Sequence, residues 1–317
     1  MTPSLLITRP LPDAVTDAAR AAFDVTVRGD TRPLAPDDMA AALARYDAIL
    51  PTLGDPLGAA AFAGDVRTRI LANFGVGYNH IDVTAAQAAG IAVTNTPGAV
   101  TDATADIAMT LILMTCRRAG EGERLLRAGA WAGWHPTQLL GFHVSGKTLG
   151  IVGMGRIGKA IARRAHLGFG MDVVFHNRSP VADPGVPARQ LASLAEVMAT
   201  ADIVVIAVPG GAGTRHLIDA DALSTLRPDA YLINISRGDV IDEAALTAAL
   251  AEGRIAGAGL DVYEREPQVT PALLGMENVT LLPHLGTAAL EVRTAMGLMA
   301  VDNLLAWAGG RALPNPV

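Results

Sequence analysis

The run Leu149-Gly150-Ile151-Val152-Gly153-Met154-Gly155-Arg156-Ile157-Gly158 passes from an apolar stretch into a helical pattern. Gly153, Gly155 and Gly158 have the spacing G-x-G-x-x-G. Glycines so spaced permit a tight turn, let backbone approach a pyrophosphate and let the next helix lie close to its sheet. The N-terminus of that helix offers unpaired N–H groups and partial positive charge to phosphates. The ligand this predicts is a dinucleotide. About 20 residues on, where NAD-binding chains carry an acid for the ribose hydroxyls, the chain reads Phe175-His176-Asn177-Arg178-Ser179. At Asn177 there is no carboxylate to repel a 2′-phosphate, Arg178 offers a guanidinium to pair with one, and Ser179 a hydroxyl. NADP(H) is therefore the expected cofactor, with NAD(H) possible. His80, His143, His166 and His216 match no metal or triad spacing, and no metal is expected.

Short β-rich runs alternate with alanine-rich helical patterns along nearly the whole chain. Five candidate strands come first: Leu5–Thr8, Phe23–Arg28, Ala48–Pro51, Ile70–Asn73 and Ile91–Asn95. Helical patterns lie between them at Pro12–Ala22, Pro36–Tyr46 and Val83–Ala89. Six more strands follow, at Thr148–Val152, Asp172–His176, Ile203–Val208, Tyr231–Ile235, Gly257–Val262 and Val279–Leu282. Their helices are Arg156–Leu167, Leu191–Thr200, Ala220–Leu226 and Glu243–Ala251. Continuous apolar strands between helices mean parallel sheets covered on both faces. The class is α/β, with two doubly wound parallel-sheet domains and an active-site cleft expected between them. Asn95-Thr96-Pro97-Gly98 is loop chemistry and sets the first boundary. Residues 1–97 and 287–317 are expected to form a flavodoxin-like substrate-binding domain, and residues 98–286 a Rossmann NAD(P)-binding domain. A helix from Ala103 to Arg118 should follow a cap at Thr101 or Asp102. A last helix should run from Ala288 to Ala308.

With 317 residues, half of them hydrophobic and 18% charged, a disordered chain is excluded. A net charge of −6 argues against nucleic acid as a partner, since that work needs a basic footprint. Cys116 has no second cysteine to pair with and reads as inert packing. Ile107 to Cys116 is apolar but too short to span a membrane. The N-terminal residues lack the basic stretch of a signal peptide, so the expected compartment is the cytoplasm. Asp106 lies inside an apolar pattern and would need a partner if buried. Trp131 and Trp134 stand out in a chain with 4% aromatic residues; they suit either an interface or packing of a loop onto a core. Singly, an arginine or glutamate between such elements is usually a surface ion pair.

Three further segments are specific. Leu232-Ile233-Asn234-Ile235-Ser236-Arg237-Gly238-Asp239-Val240-Ile241-Asp242 is one, and Gly257-Ala258-Gly259-Leu260-Asp261-Val262-Tyr263-Glu264-Arg265-Glu266-Pro267 another. Leu281-Leu282-Pro283-His284-Leu285-Gly286 is the third. With the glycine run they resemble the signatures of the D-isomer-specific 2-hydroxyacid dehydrogenases, in that family's order. Asn73-Phe74-Gly75-Val76-Gly77-Tyr78-Asn79-His80-Ile81-Asp82 resembles the family's substrate loop. Within the family, Asn177-Arg178-Ser179 and the Trp131–Trp134 region look most like glyoxylate/hydroxypyruvate reductases.

The resemblance implies catalytic roles for Arg237, Glu266 and His284, and their chemistry suits keto-acid reduction. A histidine can hold and release a proton near neutral pH, so His284 is the expected general acid. Glu266 would stabilise its imidazolium; Glu264 competes with it on residue type, but the family's acid directly precedes proline. Arg237 would bind the substrate carboxylate and polarise the carbonyl. Val76 and Gly77 would offer backbone N–H groups to the other carboxylate oxygen, and Leu53 would line the substrate. Cofactor contacts are implied for Thr104, Gly153, Met154, Gly155, Arg156, Ile157, Gly158, Asn177, Arg178, Ser179, Val208, Pro209, Thr214, Ile235, Ser236, Asp261 and Gly286. A homodimer meeting through the tryptophan region and the Ala103–Arg118 helix is also implied. The expected reaction is NADPH-preferring reduction of glyoxylate, hydroxypyruvate or a related small 2-keto acid to a D-2-hydroxy acid. The alternatives are a nucleotide-sensing corepressor-like protein on the same fold, or a dehydrogenase of another small acid. A formate dehydrogenase would carry glutamine in place of Glu266.

Overall fold

A computed structural model describes residues 2–317. The chain divides into two units: one runs up to Val100 and resumes at Ala288–Val317, and the other is Thr101–Thr287.

The first unit contains β1 (Ser4–Ile7), α1 (Asp13–Arg20), β2 (Asp24–Val27), α2 (Pro36–Arg45), β3 (Ala48–Leu50), β4 (Ile70–Ala72), α3 (Val83–Ala88) and β5 (Ala92–Thr94). Its sheet is parallel, in the order β2-β1-β3-β4-β5. Successive strand residues point to opposite faces. Leu6, Ile49 and Leu71 pack on Met39 and Leu43 of α2. Leu5, Leu50 and Ile70 instead meet Val15 and Ala19 of α1, together with Ala300, Val301 and Leu304. With both faces covered, β3 and β4 have no exposed residue and read as unbroken apolar runs.

The second unit contains α4 (Thr101–Cys116), α5 (Ala119–Arg127), β6 (Thr148–Val152), α6 (Arg156–Phe169), β7 (Asp172–His176), β8 (Ala188–Gln190) and α7 (Leu194–Thr200). It continues through β9 (Ile203–Ile206), α8 (Ala220–Ser224), β10 (Tyr231–Asn234), α9 (Glu243–Ala251), β11 (Gly257–Leu260), α10 (Pro271–Leu274) and β12 (Val279–Leu281). The chain ends with α11 (Leu290–Ala308), which belongs to the first unit. The second sheet is parallel, in the order β12-β11-β10-β9-β6-β7-β8. Strand order reverses at β6, and in open α/β sheets the carboxyl end of such a strand is where ligands bind. The run after β6 is the glycine sequence.

The sequence reading of six strands here is short by one. Strand β8 is Ala-Arg-Gln at an exposed edge, with no apolar run to announce it. The sequence reading has one helix here, ending at Arg118, and the structure has two: Arg118 adopts a left-handed φ of 52° after α4 ends, and α5 follows it. Thr101 and Asp102 lie inside α4 rather than capping it, and the last helix starts at Leu290, not Ala288. Asp106 needs no buried partner; it lies at the surface, 2.7 Å from Arg164. Cys116 is fully buried, and burial pushes its thiol up to about 12. Trp131 and Trp134 are 49% and 78% exposed, so neither packs into a core. Most of α4 is covered within its own unit by α6, β10 and β11. Among the described residues no helix is long and apolar enough to cross a membrane, and no three His, Cys, Asp or Glu cluster as metal ligands.

Candidate active site

The turn expected to hold phosphate follows the carboxyl end of β6. Gly153 adopts φ +101°, and a Cβ there would come within 2.8 Å of the Ala207 backbone. A Cβ on Gly158 would run into the Gly153 carbonyl, so glycine lets α6 sit tight against the turn. Gly155, the residue before α6, has nothing within 4 Å of where its Cβ would stand. No side chain caps α6. The start of α6 is thus left without a side-chain cap and with room beside Gly155, which fits a pyrophosphate. Arg156 is exposed, whereas Met154 is buried. The Asn177 side chain reaches back to this turn: its Oδ1 accepts the Met154 N–H at 3.3 Å, and its Nδ2 donates to the Ser179 carbonyl at 2.9 Å. Arg178 and Ser179 are exposed beyond it.

Loops after later strands carry the residues expected to act in acid–base chemistry, and bring His284 against Glu266. His284 Nδ1 lies 2.8 Å from Glu266 Oε2, while Glu266 Oε1 accepts the Tyr263 N–H at 3.1 Å. Both carboxylate oxygens are thereby fixed. Burial alone would raise the Glu266 carboxyl, but His284, the Tyr263 amide and the Arg237 charge together hold it below the usual range. Arg237 follows β10; burial draws its guanidinium down from the ordinary value, partly offset by Glu266 and Asp239, and one of its N–H groups donates to the Ser236 carbonyl at 2.8 Å. Glu264, the rival acid, is engaged elsewhere, with His216 at 3.0 Å and Arg215 at 3.4 Å. Of the two glutamates, Glu266 is the one in contact with His284.

His284 itself has a left-handed φ of 54°, uncommon for a residue with a Cβ. Asp261, 1% exposed, explains how the turn is held. Its backbone carbonyl accepts the His284 N–H at 2.9 Å, and its two carboxylate oxygens accept Leu285 N–H at 2.6 Å and Gly286 N–H at 2.8 Å. Burial pushes the Asp261 carboxyl upward, against the pull of those amides and of His284. Other residues implied as cofactor contacts also shape their own loops. Thr104 Oγ1 donates to the Gly286 carbonyl at 3.2 Å, and Thr214 Oγ1 to the Pro209 carbonyl at 2.7 Å. Ser236 Oγ donates to the Val208 carbonyl. Ile235 is a buried apolar wall beside them, and Ile157 is half-buried on α6.

Within the first unit, the segment after β4 is ordered by two asparagines that sequence reasoning did not single out. Asn73 Nδ2 donates to the Gly75 and Gly77 carbonyls at 3.0 Å each, and Asn95 Nδ2 to the Val76 carbonyl at 2.9 Å. Their partners are backbone atoms, so residue spacing carries no sign of them. With these carbonyls held, the peptide planes of Val76 and Gly77 are set. Among the described residues neither of their N–H groups has a protein acceptor. Leu53, half-buried, follows β3 at the same edge of that sheet.

Residues 109–286 match the D-isomer specific 2-hydroxyacid dehydrogenase NAD-binding domain. A glyoxylate reductase of Thermococcus kodakarensis is 42% identical, over 100% of this chain and 96% of the relative. The NADPH-dependent glyoxylate/hydroxypyruvate reductase of Sinorhizobium meliloti, solved with NADP and malonate, superposes with a TM-score of 0.88. It is 38% identical and covers 100% of this chain and 97% of its own. A glyoxylate reductase from Paecilomyes thermophila gives a TM-score of 0.88 at 33% identity, covering 100% of this chain and 98% of its own. The chain is an oxidoreductase that binds a nicotinamide cofactor. It belongs to the D-isomer specific 2-hydroxyacid dehydrogenases.

Proposed function

We propose that the protein reduces small 2-keto acids, glyoxylate and hydroxypyruvate among them, to D-2-hydroxy acids, preferring NADPH to NADH. The observation that carries this reading is the 2.8 Å contact between His284 Nδ1 and Glu266 Oε2, with the Arg237 charge acting on the same carboxylate. Because Nδ1 is engaged, Nε2 of His284 is the atom that hands a proton to the carbonyl oxygen. Glu266 fixes the tautomer and stabilises the imidazolium. Arg237 binds the substrate carboxylate and polarises the carbonyl, and the N–H groups of Val76 and Gly77 take its other oxygen. The glycine turn would hold the pyrophosphate of a nicotinamide dinucleotide, which would supply the hydride when bound. Arg178 and Ser179 would hold a 2′-phosphate where no acid stands to repel it, which supports the NADPH preference.

Initial rates across a panel of 2-keto acids, each with NADPH and with NADH, test the reading. The largest kcat/KM should fall on glyoxylate or hydroxypyruvate with NADPH. A larger value with NADH, or no turnover of either acid, contradicts it. The exposed apolar side chains Leu126, Trp131, Trp134 and Leu140 support a homodimer. Sedimentation at micromolar concentration should give a dimer that Trp134→Ala weakens, and a monodisperse wild-type monomer contradicts it.

A further inference from the structure

The loop Asn177-Arg178-Ser179 is fastened from a direction the sequence does not reveal. Gln190, on the edge strand β8, donates from Nε2 to the carbonyls of Asn177 and Ser179, each at 3.2 Å. Its Oε1 accepts the Val181 N–H at 3.0 Å. The carboxamide orientation follows from those partners: turned over, its oxygen would face two carbonyls and its NH₂ an N–H group. Asn177 ties the other end of the loop to the glycine turn through Met154. Arg178 thus stands between two fastened peptides. Among the described residues its guanidinium has no ion pair or hydrogen bond within the protein.

We propose that Gln190 is a positioning residue for cofactor choice, holding this loop so that Arg178 and Ser179 are pre-set for a nucleotide bearing a 2′-phosphate. The inference rests on the NADPH preference proposed above. One carboxamide provides two donors and an acceptor at a single point, which no carboxylate, hydroxyl or apolar side chain of similar length does. An ordered loop binds more tightly because the ordering is already done before the ligand arrives. The benefit falls on the ligand that touches the loop. A nucleotide without the 2′-phosphate makes fewer contacts there and gains less.

Calorimetric titration with 2′,5′-ADP and with 5′-AMP separates the two ligands without turnover. Wild type should bind 2′,5′-ADP more tightly. Gln190→Ala should weaken 2′,5′-ADP by about three- to tenfold, the range expected for losing neutral hydrogen bonds, and leave 5′-AMP within about twofold. Gln190→Glu should weaken 2′,5′-ADP at least as much, having lost both donors and gained a charge near the phosphate. In an Arg178→Ala background Gln190→Ala should add little, because its effect passes through Arg178. Unchanged 2′,5′-ADP binding, equal weakening of both ligands, or full additivity with Arg178→Ala overturns the proposal. A wild type that binds the two ligands equally overturns the cofactor reading itself, and the role of Gln190 with it.

Discussion

The two sheets share a device at one edge and differ at the other. At the amino ends of the strands, Asp47, just before β3, accepts the N–H of Ser4 at the start of β1, at 2.8 Å. In the second unit Asp202, just before β9, accepts the N–H of Thr148 at the start of β6, also at 2.8 Å. Each carboxylate is paired with an arginine, Arg67 in one case and Arg227 in the other. The carboxyl ends diverge. After β6 comes a turn of bare backbone, open where Gly155 lacks a side chain. After β1 come Thr8 and Arg9, closed by the buried Asp55. Thr8 Oγ1 lies 2.6 Å from that carboxylate and the Arg9 guanidinium 3.6 Å. A similar parallel topology therefore carries an open glycine turn in one unit and an ion pair on a buried carboxylate in the other. Topology provides the position, and a few residues at the strand end decide its use.

That contrast breaks most sharply at Gly158. Gly158→Val would drive a side chain into the Gly153 carbonyl and push α6 off the turn. NADPH affinity, read by fluorescence titration, should fall at least about 100-fold, as overpacking of that size implies. Retained binding within about threefold would show that the glycine turn is not the cradle.

The mirror experiment is Asp55→Ala. It strips the buried carboxylate from Thr8, Thr52 and Arg9 and leaves a cation without its partner. Urea unfolding should show a loss of roughly 3–5 kcal/mol. Below the unfolding transition NADPH affinity should stay within about twofold. A specific loss of cofactor affinity without loss of stability would erase the distinction between the two strand ends.

How much of this was legible in the sequence depended on where each residue's partner lies. Strands β6 and β7 show as apolar runs with polar flanks, and the glycine spacing marks the turn after β6 because backbone geometry demands those residues locally. Strand β8 is short and exposed, so nothing in its composition marks it. Asn73, Asn95 and Gln190 act on backbone carbonyls, and a backbone partner leaves no matching residue type elsewhere in the sequence. Asp106 could not be matched to Arg164 from spacing, since the two meet only when α4 packs on α6. Likewise Glu264 and Glu266 differ by their contacts to His216 and His284, which only folding creates.

The smallest expected effect concerns the shared edge. The Arg67 guanidinium, with the N–H and hydroxyl of Ser4, holds the Asp47 carboxyl at about 2, although partial burial opposes this. A carboxyl lowered by folding stabilises the fold above its unfolded value of about 4, and that contribution is lost as pH falls from there toward 2. With Arg67 57% exposed, solvent screening should keep the loss under about 1 kcal/mol. Asp47→Asn should flatten this part of the pH–stability curve. An unchanged acid limb would show that the pair contributes nothing measurable.

The central claim is that His284, set by Asp261 and paired with Glu266, delivers the proton in keto-acid reduction. Single-turnover oxidation of NADPH by glyoxylate, followed by loss of the dihydronicotinamide absorbance, tests it most directly in His284→Ala. The account predicts a loss of about 10²–10⁴-fold in the rate of reduction, with NADPH affinity within about twofold of wild type, because the imidazole acts on the substrate oxygen. A variant that reduces glyoxylate at near-normal rate would contradict it and send the search for the proton donor elsewhere.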